Sequence, residues 1–316
     1  LTSSYGSWGN QRYVADLSGP LSEDGRVRGR MVAGYQRSGS WLDDYHTQKK
    51  FFYGTIAADL TDSTTVSAGY DFDETQVHGA TWGGLPTFYL DGSKTDYKRS
   101  TNLAPGWAYN NVHNRTVFAS LKQQLANGWE FNLTGTHSEA EMDSKLLYID
   151  GYFDKTTGIG VGPYAGYDLL GGTGYNTAYR RENDLDAYAS GPYELFGRQH
   201  ELMLGVTYIR QNDRYYSAST SFTSADVGDF NDWGSYPEPD WDPQSLAEDN
   251  TIHQKSAYMA TRISLADPLH LILGARYTQY RADTMTEKME KNNVTPYAGL
   301  VYDINDTYSA YASYTS

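Results

Sequence analysis

The feature that most restricts this chain is an alternation of period two, recurring along a sequence with almost no helical periodicity. In Phe52, Gly54, Ile56, Ala58 and Leu60 alternate residues are apolar or small, and the residues between, Tyr53, Thr55, Ala57 and Asp59, are more polar. Successive side chains of a strand leave opposite faces, so this segment reads as a strand with two unlike faces. Leu202, Leu204, Val206 and Tyr208 repeat the pattern, as do Val117, Ala119 and Leu121. In Leu271, Leu273, Ala275 and Tyr277 the intervening residues include Gly274, Arg276 and Thr278. An Arg within a strand costs little facing water and much facing lipid. The alternation therefore turns Leu202, Leu204, Val206, Leu271, Leu273 and Ala275 toward lipid, and Arg276 and Thr278 toward an aqueous interior.

Thirteen such strands can be drawn, over 1–8, 12–21, 26–36, 50–60, 64–77, 114–125, 129–148, 179–195, 200–217, 251–265, 269–285, 293–304 and 307–316. Their connections alternate in length. One set is short and holds the Asp, Gly, Asn and Pro of tight turns, as at 22–25, 61–63, 126–128, 196–199, 266–268 and 305–306. The other is mostly long, at 37–49, 81–113, 149–178 and 218–250. Connections of that size are uncommon in compact soluble domains. Short turns at one end and long loops at the other is the asymmetry of outer-membrane barrels. The expected fold is all-β, a transmembrane antiparallel β-barrel. Closed bacterial barrels have even strand numbers, and the run Tyr311, Ala312, Ser313, Tyr314 stands in mid-strand. The expectation is that residues 1–316 form part of a larger barrel.

Composition agrees. Of 316 residues 39% are hydrophobic, but 15% are aromatic and 29 are Tyr, a residue that suits membrane interfaces. No run approaches the roughly 20 apolar residues of a transmembrane helix. The mean hydropathy of −0.64 is compatible with barrel strands, which need only every second residue apolar. A net charge of −14 argues against nucleic acid as a partner. The absence of Cys excludes disulfides and thiolate metal sites. The seven His form no ligand pair at helical or finger spacing, there is no Gly-Lys-Ser/Thr phosphate loop, and the Ser-rich run 217–224 lacks an obvious His and acid partner. Nothing in the sequence supports catalysis.

Several segments resemble one family. Tyr5-Gly6-Ser7-Trp8 and Asp16-Leu17-Ser18-Gly19-Pro20-Leu21 are similar to the first two barrel strands of TonB-dependent siderophore receptors. Thr81-Trp82-Gly83-Gly84-Leu85-Pro86, with Asp91-Gly92-Ser93 and Trp107, resembles their third outer loop. Leu195-Phe196-Gly197-Arg198-Gln199-His200 and Ala266-Asp267-Pro268-Leu269 resemble periplasmic turns, and Tyr297 to Ile304 with Tyr311 to Tyr314 resembles strands near mid-barrel. The likeness looks nearest to receptors for coprogen and rhodotorulic acid. It implies a barrel of roughly 22 strands closed by an N-terminal plug, with neither the plug nor the final strands in residues 1–316. It also implies a ferric hydroxamate siderophore as ligand and energy from TonB with ExbB and ExbD, acting through the plug. Outer-membrane lipid and lipopolysaccharide would surround the wall. Iron would arrive within the ligand, so no cofactor or protein metal site is expected.

Trp41, Trp82, Trp107, Trp233 and Trp241 fall in expected outer loops, where exposed Trp needs a cause. One reading is a pocket whose aromatic faces pack a siderophore's apolar arms while Tyr, Asn or Arg donate to its oxygens. The other is that Trp staples the loops together. Trp107, between Pro105-Gly106 and Tyr109, ranks first as a ligand contact, followed by Trp241, Trp82 and Tyr109. Trp107 and Trp241 are expected to grip the ligand from opposite sides of the mouth. Trp8 and Trp129 fit the aromatic girdles. Arg210, Arg214, Arg276 and Arg281, near outer strand ends, could face the lumen and meet an anionic ligand or plug carboxylates, or be ordinary lumen charges. The acidic loop 218–250, without Lys or Arg, reads as solvated rather than as a calcium site. Two rival functions remain: a substrate-specific porin, and a soluble β-rich carbohydrate-binding module.

Overall fold

The structure is a computed structural model that describes residues 1–161, 170–221, 229–230 and 236–316. Thirteen strands form one antiparallel sheet in sequence order among the described residues. They are β1 (Thr2–Gly6), β2 (Asn10–Pro20), β3 (Val27–Gly39), β4 (His46–Thr61), β5 (Thr64–His78), β6 (Tyr109–Gln124), β7 (Glu130–Asp150), β10 (Leu170–Leu195), β11 (Arg198–Ser221), β12 (Ser245–Ala266), β13 (Leu269–Asp283), β14 (Lys288–Asp303) and β15 (Ser309–Thr315). A separate two-stranded outer hairpin, β8 (Tyr152–Phe153) and β9 (Gly160–Val161), lies between β7 and β10 in the chain. The expected strand count is met, and the sheet is the meander the sequence predicts.

Two cross-strand rows fix the faces, because directly paired residues share a face. Val66, Leu121, Leu133, Ala187, Val206, Ala257, Tyr277 and Val294 are neighbours in turn across eight strands, and every one is apolar or aromatic. One residue along each strand, Ser67, Ser120, Thr134, Asp186, Thr207, Ser256, Thr278 and Asn293 form a row that is wholly polar. The first row faces outward to lipid and the second inward. Val206 is 55% exposed and Leu204 44% in the isolated chain, leaving both side chains open to lipid. Arg276 reaches Thr207 Oγ1 at 3.1 Å and Ser256 Oγ at 3.0 Å on the inner face, as the alternation predicts. On the same face Arg30 donates to Asp16 at 2.7 Å.

The short turns are confirmed at the inner-leaflet end. Gly25, Gly128 and Gly197 take left-handed backbone there, and so do Asn127 and Phe196. Trp129 closes one of them, donating from Nε1 to Pro192 O at 3.0 Å. Its ring lies on Gly191, where an added Cβ would come within 2.5 Å of Trp129 Cγ. That is a girdle position, as expected.

The outer connections differ from expectation in one respect. Strands β3 and β4 stay paired up to Gly39 and His46, and β7, β10 and β11 up to Asp150, Leu170 and Ser221. The first expected loop, 37–49, shrinks to 40–45. Much of the others is strand rising past the lipid band. Above lipid both faces meet water or loops, so the alternation that marks a strand there is lost, although the ladder continues.

Candidate functional site

The best-buried apolar residues of the described chain lie in the outer loops and the outer ends of the strands that carry them, rather than at the lipid level of the wall. Leu103, Leu147, Ile149, Phe153, Phe230 and Tyr236 form one cluster, with Leu85, Tyr97 and Trp107 packed against it. Phe153 of the β8–β9 hairpin stacks on Phe230 with centroids 3.7 Å apart, and Tyr97 meets Phe230 edge-on at 5.6 Å. Backbone bonds tie the same loops: Leu90 N to Phe153 O and Phe230 N to Gly158 O, both 2.9 Å. Asn102, itself buried, donates to Asp43 O at 2.9 Å and Gly79 O at 3.1 Å, and accepts from Ala104 N. Three connections far apart in sequence thus share one core. Sequence reading did not single out Phe153, Phe230, Tyr97 or Leu103. The available signal was the number of aromatics within loops otherwise made of turn residues.

Trp107 and Trp241 do not face each other across an open mouth. Their rings touch edge-to-face at 5.8 Å. Trp107 Nε1 donates to Tyr236 O at 3.2 Å, and Trp241 packs on Tyr175 at 5.7 Å. The expectation of opposite-sided anchors is corrected: loops 79–108 and 236–244 converge, and the two rings join them. Lys145 completes the arrangement. Its Nζ pairs with Glu238 and lies 5.0 Å from the Tyr175 ring and 5.7 Å from the Trp241 ring. Trp241 Nε1 donates to the same Glu238 oxygen at 2.9 Å. Hydrogen bonds from Lys145 and then Trp241 hold the Glu238 carboxyl below its ordinary pKa. Tyr109 donates to Asp143 Oδ2 at 2.9 Å, joining the outer ends of β6 and β7.

Trp82 lies on another face. Its ring is 5.9 Å from Tyr148, and a Cβ on Gly174 would stand 3.2 Å from it. Tyr148 is paired with Gly172, so Tyr148, Gly172 and Gly174 share one face of the β7–β10 ribbon. Counting down β10 by twos, that is the face of Asp186, the inner one; Tyr175 and its partner Lys145 are on the opposite face. A Cβ at Gly174 would crowd both Trp82, at 3.2 Å, and Asn176 Nδ2, at 2.9 Å. Trp82 is 49% exposed and Tyr148 40%, an aromatic pair open on the inward side. Trp41 is exposed, and Trp233 lies outside the described residues. Of the acidic loop, Asp226 and Asp232 also lie outside them. Among the described residues no group of three or more His, Cys, Asp or Glu is placed to hold a metal.

The four arginines divide. Arg276 faces inward, but Arg210, Arg214 and Arg281 stand on the outer face, in line with Val206 and Tyr277. A lumenal role for those three is corrected by parity: 210 and 214 are even on β11, where the outward set is Leu202, Leu204 and Val206.

A family model, TonB dependent receptor-like, beta-barrel, matches residues 34–316. The chain belongs to that family. It is therefore a bacterial outer-membrane barrel wall, which sets aside the soluble carbohydrate-binding module. It is 36% identical over its whole length to the ferric-pyoverdine BN7/BN8 receptor of Pseudomonas putida, covering 40% of that protein. It is 35% identical to the ferripyoverdine receptor of Pseudomonas aeruginosa, over 98% of this chain and 37% of that one. The crystal structure of a ferripyoverdine receptor of the Pseudomonas aeruginosa outer membrane, bound to ferripyoverdine, superposes with a TM-score of 0.88 at 33% identity, over 99% of this chain and 41% of that one. The chain thus spans about two fifths of the length of these relatives. They are named as receptors, not enzymes. The coprogen-type specificity expected from sequence finds no support among them.

Proposed function

We propose that this chain is wall and outer mouth of a receptor that binds and imports a ferric siderophore of the pyoverdine class, with energy delivered by TonB, ExbB and ExbD. The family and the names of the relatives at 34–36% identity support this choice over a coprogen-type hydroxamate. The observation that carries it is the exposed Trp82–Tyr148 pair on the inward face. A flat, partly apolar chelate gains most from aromatic faces it can desolvate, with a few polar groups to orient it. In this reading Trp82 and Trp107 contact the ligand, Trp107 by the part of its ring left open at the edge of the loop core. Trp241 and Tyr109 support them, one backing Trp107 and the other pinning β6 to β7. Iron is cargo, held by the siderophore.

The test is titration of the full-length receptor with ferripyoverdine, read by quenching of Trp fluorescence, beside ferric coprogen. Saturable quenching by ferripyoverdine is expected, with Trp82→Ala and Trp107→Ala each at least about tenfold weaker, the equivalent of ~1.4 kcal/mol. Saturation by coprogen alone would restore the hydroxamate reading. Flux of small solutes without saturable quenching by either would make the protein a porin.

A further inference from the structure

A polar row crosses the inward face of the sheet next to the Trp82–Tyr148 pair. Asn110, Ser144, Asn176 and Ser217 are direct cross-strand neighbours on β6, β7, β10 and β11. Their parity is that of Tyr148 and Gly174, so the row faces inward. Asn176 is 7% exposed, and its Oδ1 is held twice: Tyr215 Oη donates to it at 2.7 Å and Ser217 Oγ at 2.9 Å. An amide whose oxygen is fixed has its nitrogen fixed too. Nδ2 is turned along β10 to Gly174, the glycine over which Trp82 lies. The NH2 group and the edge of the indole thus meet over one bare position. Among the described residues Nδ2 makes no hydrogen bond, although Ser144 Oγ and Asn110 Oδ1 stand in the same row, both sealed from solvent and both without a partner. Unlike those two oxygens, Nδ2 is not sealed.

Buried polar groups in native proteins are paired as a rule. This row leaves three atoms unpaired, and the one that is open lies beside the exposed aromatic pair. We propose that Asn176 is a specificity-determining residue of the mouth: its Nδ2 donates to a carbonyl, hydroxyl or carboxylate oxygen of the ligand that stacks on Trp82, with Tyr215 and Ser217 as positioning residues. This role rests on the reading that Trp82 meets the ligand, and adds the polar group that orients it. The donor is held before the ligand arrives, so little side-chain freedom is lost on contact. A ligand that covers Trp82 but carries no oxygen at this point would seal Nδ2 without a partner, and a site built around a buried donor rejects such a ligand strongly. Trp82 and Tyr148 supply area that any flat apolar group can use. Asn176 chooses among such groups by where an oxygen sits.

The test titrates full-length receptor with ferripyoverdine and follows both the affinity and the final extent of Trp quenching. Asn176→Asp keeps the size of the side chain and the oxygen that Tyr215 and Ser217 hold, and replaces the donor by an acceptor. It should bind at least about tenfold more weakly, with the extent of quenching at saturation unchanged because the rings are still covered. Ser219→Asp puts the same charge at an exposed position across from Gly174 and should lose less than about threefold. Tyr215→Phe removes one of the two holds on Oδ1 and should fall between them. Heat-modifiable migration reports folding on each sample; if Asn176→Asp fails to fold, Asn176→Ser, which removes the amide without adding charge, is read in its place. Trp82→Ala is run beside them. Wild-type affinity and quenching in Trp82→Ala would overturn the reading of the mouth and this role with it. A weakened Trp82→Ala beside wild-type affinity in Asn176→Asp would overturn the role of Asn176 alone. So would equal losses in Asn176→Asp and Ser219→Asp, which would reduce the effect to charge repulsion.

Discussion

The wall at the level of Val66 to Val294 and the loop layer around Phe153 are built from one chain by different rules. In the wall, each side chain's surroundings follow from its parity. The all-apolar row and the all-polar row differ by one residue on each of eight strands, and lipid on one side and water on the other enforce that difference. In the loop layer parity decides little. Leu147 and Ser144 are odd and even residues of β7, yet each is only 1% exposed. There, partners brought from 79–108, 151–161, 229–230 and 236–241 bury both sides, and order comes from aromatic contact. A barrel's lower wall is thus specified locally, and its mouth by encounters between segments distant in sequence.

The comparison predicts unlike failures. Phe153→Ala empties the centre of the loop core, where truncating a buried Phe costs about 3–5 kcal/mol. The loss should stay local: the outer loops become protease-sensitive while heat-modifiable migration of the full-length barrel is kept. Collapse of the whole barrel would erase the distinction drawn here. Leu204→Arg puts a charge on the lipid face and should cost about 2–4 kcal/mol in denaturant unfolding. Met203→Arg, one residue away and inward, should cost far less; equal costs would break the parity rule. Smallest is the Lys145–Glu238 pair. Because Glu238 titrates below its ordinary value, its contribution is present above the ordinary Glu pKa and fades as pH falls through the depressed one. Glu238 is 41% exposed, so the effect should be under about 1 kcal/mol. Glu238→Gln should abolish the acid-dependent change in Trp fluorescence of this loop, and an unchanged acid response would place the titrating group elsewhere.

These rules also explain what the sequence disclosed. Strand number, short turns and the outward set Leu204, Val206 and Leu273 were legible because alternation is a local signal with a period. The outer reaches of β7 and β10 were not, since Tyr175, Asn176 and Thr177 pair regularly without alternating in polarity. The facing of Arg210 and Arg281 could have been read by counting from Val206 and Tyr277, but placement near strand ends alone suggested the lumen. At the mouth, the sequence singled out the right kind of residue without its partner. Nothing local says that Trp107 meets Trp241 across 134 positions of chain, or that Trp82 lies close over Gly174.

The central claim is that Trp82 of the inward aromatic pair contacts the siderophore directly, while Trp241 only backs Trp107. Ferripyoverdine affinity of full-length Trp82→Ala and Trp241→Ala, measured side by side on folded protein, tests it most directly. The account predicts at least about a tenfold loss for Trp82→Ala, an anchor removed from the contact, and less than about threefold for Trp241→Ala, a support removed from behind it. Wild-type affinity in Trp82→Ala with a large loss in Trp241→Ala would contradict it.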